Sequence, residues 1–302
     1  MGVSSSIQPA WPSWQWPRVF GTSPVLSPGM FRIFRGLMAA VFVGHQIWHA
    51  WDAIVLREHG WYYLIFLTTW SLFLETLNMV LMFILALMAS EAPEPNEDAE
   101  FQKESEPLLA RVSMVIFSIS QPVSMGVAVL YWTLLTPIWD VWAGVEPVPS
   151  YLSMFAHGID WILMFMTFFA CRVPFTCSHV GWTTLFAVLY AAWSYLHHVL
   201  RIGKSWTCEG YDDPADCPIY DVLDWNDPQK AGTITGAAVV GVGLLIPCVY
   251  VLLAWLRDRC DSRADLQQID EERQREKLLL QSDDEINVTS SRRNACACLT
   301  CV

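Results

Sequence analysis

Residues 61–89 read WYYLIFLTTWSLFLETLNMVLMFILALMA, a run in which the only charged side chain is Glu75. A hydrocarbon core of about 30 Å is crossed by about 20 helical residues at about 1.5 Å each, so this run is longer than one crossing needs. The excess implies tilt or an extension beyond the lipid. A segment in lipid must pair its own backbone N–H and C=O groups, and a continuous apolar string without two-residue alternation selects a helix over a barrel strand.

Working outward, five more apolar runs have spanning length, at about 33–51, 112–135, 151–171, 179–200 and 232–256. The chain therefore reads as an all-α integral membrane protein with six transmembrane helices over 33–256 and no soluble domain. An irregular Trp/Pro-rich arm (1–32) precedes them, and a charged, partly disordered tail (257–302) follows. Composition agrees, since 54% hydrophobic against 16% charged residues in a chain of 302 is too apolar for an ordinary globular domain.

Orientation follows the placement of cations at helix ends, because positive charge is retained on the cytosolic side. Arg18, Arg32, Arg35, Lys103, Arg111, Arg172, Arg257, Arg259 and Arg263 fall on one side, against Arg57, Arg201, Lys204 and Lys230 on the other. This bias puts both termini in the cytosol. The net charge of −12 is concentrated in two acidic loops, 91–106 and 209–227, which read as solvated surface. No basic stripe exists to meet a phosphate backbone, so nucleic acid is excluded as a partner and membrane lipid is the expected one. Which membrane, plasma membrane or endomembrane, is open; an ESEPLL string at 104–109 resembles an acidic dileucine sorting signal.

The first 30 residues carry Pro9, Pro12, Pro17, Pro24 and Pro28 among Trp11, Trp14 and Trp16 and lack a short apolar core, so no cleavable signal peptide is expected. Gly2 followed by Ser6 fits the N-myristoylation pattern, which needs a cytosolic N-terminus. Cys296, Cys298 and Cys301 beside Arg292 and Arg293 suit reversible palmitoylation. Cys208 and Cys217 share the outer loop between the fifth and sixth helices, on the oxidising side, where they could close a small disulfide ring. The sequon at Asn287 lies on the cytosolic side in this topology and serves as a test of it.

Ionisable groups are costly in hydrocarbon and ordinarily face a bundle interior or a water-filled cavity. His45, His49 and Asp52 share one face of the first helix, and Thr68, Glu75 and Asn78 one face of the second. His157 and Asp160 lie one turn apart in the fourth; His179, His197 and His198 sit near the ends of the fifth. Three readings stay open for this intramembrane set. In the first, the groups satisfy one another structurally across the bundle. In the second, Thr68 is a nucleophile toward a lipid ester or amide, with His157 or Asp160 as base. In the third, His45, His49, Asp52 and His157 hold a metal, although no HExxH-like string is present and no cofactor is expected.

Residues 217–231 read CPIYDVLDWNDPQKA, and they complete an ordered series of short motifs. Before them come Phe66-Leu67-Thr68-Thr69-Trp70, Pro122 ahead of Val129-Leu130-Tyr131-Trp132, and His157-Gly158. Arg172-Val173-Pro174 with His179, then His197-His198, lead to Tyr220, Val222, Leu223, Asp224 and Trp225. Over about 60–235 the series resembles the rolling-stone family of multi-pass membrane proteins. That family shares a superfamily with the androgen-induced and androgen-dependent membrane hydrolases of fatty-acid esters of hydroxy fatty acids. In the hydrolase branch the resemblance implies a Thr nucleophile after Phe-Leu, which is Thr68 here. It implies a catalytic His three residues after the first His of an Asn-His-Gly-x-His motif; His157 is that first His, and Asp160 stands at the catalytic position. An Asp of ordinary acidity is a poorer proton acceptor than imidazole near neutral pH. The expectation is a chain that binds or hydrolyses a lipid-like molecule within its bundle; the rolling-stone branch itself implies a non-catalytic protein of cell-surface or fusion-related interactions.

Overall fold

The computed structural model describes residues 16–91, 107–136, 141, 144, 148–206, 208 and 210–260. Gly2, Asn287, Cys296, Cys298, Cys301 and residues 104–106 of the sorting-like string lie outside the described residues. The chain divides into two compact units, residues 1–254 and 255–302. In the second, an Arg257 guanidinium nitrogen lies 2.9 Å from Asp258 Oδ1 and Arg259 lies 4.1 Å over the Trp255 ring.

Every element among the described residues is helical. They are α1 (Trp16–Gly21), α2 (Pro28–Trp51), α3 (Leu67–Glu91), α4 (Leu108–Leu130), α5 (Tyr151–Ala170), α6 (Cys177–Val199) and α7 (Pro228–Cys260). Helix starts follow local chemistry. Pro28 at N1 pre-sets the first turn of α2. Ser150 caps α5 by accepting from the Ser153 N–H, and Asp227 caps α7 by accepting from that of Lys230.

Among the described residues four helices are long and apolar enough to cross a membrane: Leu67–Ser90, Leu108–Leu135, Tyr151–Ala170 and Pro228–Cys260. Their apolar side chains are exposed outward at Phe73, Ile162 and Leu252, as on a multi-pass membrane protein, where lipid covers that face. Helices α2 and α6 are of similar length, 24 and 23 residues, but carry more polar groups.

Two expectations are corrected. The arm is not irregular to residue 32: Trp16–Gly21 is helical, and Trp16, Val19 and Phe20 are buried. A Cβ on Gly21 would come within 2.7 Å of Ala89 Cβ, which shows how closely α1 lies on α3. The long second run is not one helix either. Gly60–Ile65 forms a 3₁₀ turn, Phe66 is extended at φ −84° and ψ 139°, and α3 begins only at Leu67. Part of the surplus length thus forms a separate turn ahead of α3.

Small residues set the approach of α4, α6 and α7. A Cβ on Gly126 would meet Val242 at 2.5 Å, and Thr184 Oγ1 donates to the Gly243 carbonyl at 2.6 Å. Among the described residues four helical stretches widen into π turns: Asp52–Leu56, Tyr131–Leu135, Phe155–Ile159 and Gly241–Leu245. Each inserts a residue into the α register and re-aims side chains, a device common at functional sites. Two of them face each other.

Candidate functional site

Thr68 lies in the first turn of α3, where backbone N–H groups lack intrahelical acceptors. The chain arrives extended at Phe66, and the Leu67 N–H donates to the phenol oxygen of Tyr220 at 3.1 Å. His157 sits in the π turn Phe155–Ile159 of α5, and Tyr131 opens the π turn that continues α4. The two rings stack with centroids 3.7 Å apart. Trp132 Nε1 donates to the His157 carbonyl at 2.7 Å, so both edges of the His157 residue are held by the end of α4.

Thr68 Oγ1 and His157 Nε2 lie 3.0 Å apart. On the other side of the imidazole, Nδ1 lies 2.7 Å from the Ser153 carbonyl oxygen. A carbonyl can only accept, so the ring proton sits on Nδ1 and Nε2 presents a lone pair to the Thr68 hydroxyl. This is the arrangement of a nucleophile and its base, with a backbone carbonyl holding the tautomer as a carboxylate does in a Ser-His-Asp triad.

Two cavities meet at this pair. One is narrow and apolar, about 90 Å³, walled by Val127, Leu130, Phe186, Ala187, Ala238 and Val242. The other is about 350 Å³ and polar, with His49, Asp52, Arg57, His59, Ser150 and Trp206 on its walls. Thr68, Tyr131, Leu135, His157 and Tyr220 line both. A ligand with an apolar tail and a polar remainder would therefore pass its junction across Thr68.

The polar cavity is bordered by an outer loop that the chain ties down several times. Cys208 and Cys217 form a disulfide across it. Arg201 pairs with Asp216 at 2.7 Å and Asp213 at 3.2 Å, His197 Nε2 lies 2.9 Å from the Gly203 carbonyl, and Tyr211 donates to Asp224 at 2.5 Å. Burial holds the Lys204 ammonium below its ordinary range against the opposing pull of Asp221. Burial, reinforced by Arg57 and opposed by Asp52, likewise lowers His59, whose Nδ1 lies 3.1 Å from Ser205 Oγ.

Of the other polar candidates, His49 and Asp52 share the polar cavity with Thr68 but have their own partners, and the rest lie away from it. His45 stacks on Phe155 at 3.7 Å, His49 Nδ1 lies 3.2 Å from the Tyr63 hydroxyl, and Asp52 pairs with Arg57 at 2.7 Å. Ser71 donates to Glu75 at 2.5 Å, and Asn78 is fully buried one turn on. His179 closes a capping box with Thr176, and His198 stands half-buried at the end of α6. Asp160 accepts from the Trp161 N–H at 2.6 Å, has Glu75 as its side-chain partner, and lines neither cavity. The π turn explains the separation: with a widened turn, residues three apart no longer share a face, so His157 and Asp160 diverge. Among the described residues no three His, Cys, Asp or Glu side chains are grouped to hold a metal ion, which leaves the proposed set of His45, His49, Asp52 and His157 without a centre.

Tyr131, Tyr220, Trp206 and Arg57 join the site without having been marked as functional by residue type or spacing. Tyr131 and Tyr220 belong to the motif series that carried the family resemblance, which is the one signal that pointed to them.

No solved structure matches the chain. Over 234 residues it is 20% identical to Protein rolling stone of Drosophila melanogaster, an alignment covering 74% of this chain and 75% of that relative. The family described as FAR-17a/AIG1-like protein matches residues 32–207, more than half of the sequence, and the chain belongs to that family.

Proposed function

We propose that this protein is a membrane hydrolase of long-chain acyl esters, with Thr68 as nucleophile and His157 as general base. The observation that carries the reading is the 3.0 Å approach of Thr68 Oγ1 to an imidazole nitrogen whose tautomer is fixed from behind by the Ser153 carbonyl. The apolar cavity suits the acyl chain and the polar one the leaving half of the ester. In this reading Asp160 is not the base, because the carboxyl is turned to Glu75.

The same proposal includes six crossings with both termini cytosolic. Helices α2 and α6 are long enough, and each has an exposed apolar outer face, Ile33, Leu37 and Ile47 on α2 and Leu185, Leu189 and Leu196 on α6. Their polar groups Arg35, His45, Thr183 and Ser194 are buried. The Cys208–Cys217 disulfide supports an outer, oxidising location for the loop between α6 and α7. A C-terminal tag should then survive protease added to sealed, right-side-out membranes; its digestion would reverse the orientation.

The test of the chemistry is labelling of the full-length protein in detergent with a fluorophosphonate probe. Labelling of the wild type, lost in both Thr68→Ala and His157→Gln, is the expected result. A folded wild type that takes no label would return the chain to a non-catalytic role in membrane interactions.

A further inference from the structure

We propose that Tyr220 supplies the oxyanion-stabilising hydrogen bond of the site, donating its phenol proton to the acyl oxygen as Thr68 attacks. The inference rests on the hydrolase reading and adds a catalytic group to it. The geometry begins with the backbone. The Leu67 N–H donates to Tyr220 Oη at 3.1 Å, so the phenol oxygen is an acceptor toward the start of α3 and its own proton must be given elsewhere. The Thr68 hydroxyl lies beside that oxygen, and Tyr220 lines both cavities at their junction. The neighbouring phenol, Tyr190, donates to the Ile65 carbonyl at 3.1 Å and lies beside the Tyr220 phenol, so it supports Tyr220 without taking its proton.

Two features make Tyr220 a good donor. Burial raises its phenol above the ordinary tyrosine range, so it stays protonated at neutral pH. The N-terminus of α3, carrying partial positive charge, points its free N–H groups at the same oxygen, and a bond accepted there strengthens the one donated.

The reaction then balances as follows. Thr68 Oγ1 bonds to the acyl carbon and its proton passes to His157 Nε2. The carbonyl π pair moves to the acyl oxygen, which accepts a hydrogen bond from Tyr220 without taking its proton. Collapse breaks the ester C–O bond, and the leaving alkoxide takes the proton from His157 as an alcohol. Water repeats the sequence on the threonyl ester, releasing the fatty acid and restoring Thr68.

The test uses the full chain in detergent with an umbelliferyl ester of a long-chain fatty acid as substrate. A long-chain trifluoromethyl ketone, which forms a tetrahedral oxyanion on Thr68, is compared with the matching methyl ketone, which does not. Tyr220→Phe should lower kcat by about 100-fold with KM little changed, as loss of one oxyanion donor does elsewhere. It should weaken the trifluoromethyl ketone by a similar factor and leave the methyl ketone alone. Full kcat in Tyr220→Phe while Thr68→Ala is inactive would overturn the assignment and spare the hydrolase reading. Equal weakening of both ketones would also overturn it, showing a merely structural role. A wild type no more active than Thr68→Ala would overturn the hydrolase reading and this inference with it. Should Tyr220→Phe not fold, 2,3,5-trifluorotyrosine at position 220 keeps the shape with a more acidic phenol. The alkaline limb of kcat should then move to lower pH, and an unmoved limb would overturn the proposal.

Discussion

Nδ1 of His157 lies 2.7 Å from the carbonyl oxygen of Ser153, four residues earlier in the same helix, and that contact decides which ring nitrogen faces Thr68. The orienting group is backbone, so the Ser153 side chain is dispensable to it. Ser153→Ala should leave turnover little changed, whereas His157→Gln, which removes the base, should cost about 100-fold or more in kcat. Steady-state kinetics on the two purified variants checks this. Equal losses would show that the Ser153 hydroxyl, 3.3 Å from Nδ1, carries the orientation instead.

Asp160 provides a contrast within the same helix. It is fully buried, and its partners are the Trp161 N–H and Glu75 rather than the nucleophile. Asn keeps an acceptor for Trp161 and offers Glu75 a donor, so Asp160→Asn should retain probe labelling at Thr68. Labelling abolished in a variant that still melts cooperatively would put the carboxyl back in the reaction.

These two residues also show what was legible in the sequence. Thr68 and His157 stood out as polar groups in apolar helices, and the family resemblance placed them in order. What spacing could not supply was the π turn at Phe155–Ile159, because one inserted residue leaves no mark on hydropathy yet separates His157 from Asp160. Helical periodicity put His45, His49 and Asp52 on one face, where the two imidazoles lie 5.9 Å apart, but it could not show their other partners, Phe155, Tyr63 and Arg57. Tyr220 was out of reach of periodic reading altogether, since the loop that carries it has no repeating face. The apolar runs set the all-helical class; their ends were displaced where Phe66 and Pro28 govern the backbone.

Gly203 is where the outer loop is most sensitive. Its φ is +68°, and an added Cβ would lie 2.0 Å from the Pro214 carbonyl oxygen and 2.4 Å from Ala215 Cα. The Lys204 N–H donates to that same carbonyl at 3.0 Å, so the strand of loop cannot back away without losing the bond. Backbone strain alone costs about 1–3 kcal/mol here. Opening the small disulfide ring with Cys208→Ser costs about 2–3 kcal/mol in chain entropy. Both variants should lower the melting temperature and turnover together, because the loop carries Tyr220 and Trp206. A Gly203→Ala protein with wild-type melting would show that the loop is not rigid.

His59 gives the outer face a pH dependence of known sign. Burial and Arg57 lower its pKa, so the folded protein prefers the neutral ring. The stability it contributes is present above the ordinary value of 6.5 and is lost as pH falls through the lowered folded value. The melting temperature should therefore drop between about pH 7.5 and about pH 5, and the drop should shrink in His59→Asn. An unchanged drop in the variant would assign the effect to other histidines.

Ala238 lines the apolar cavity from α7, opposite Val127 and Leu130 of α4. The cavity is narrow, about 90 Å³, so a long acyl chain fills it with its first methylenes and must continue outward between the helices, whereas a short one need not. A phenyl group at position 238 fills space that a long acyl chain needs and a short one does not. Ala238→Phe should raise KM for a long-chain umbelliferyl ester by about 10-fold or more, since each excluded methylene forfeits about 0.8 kcal/mol of burial. The butyrate ester should be turned over as by the wild type, because Thr68 and His157 are untouched. If long and short esters lose activity alike, the acyl chain does not lie in this cavity, and the polar one beside His49 and Arg57 must take it.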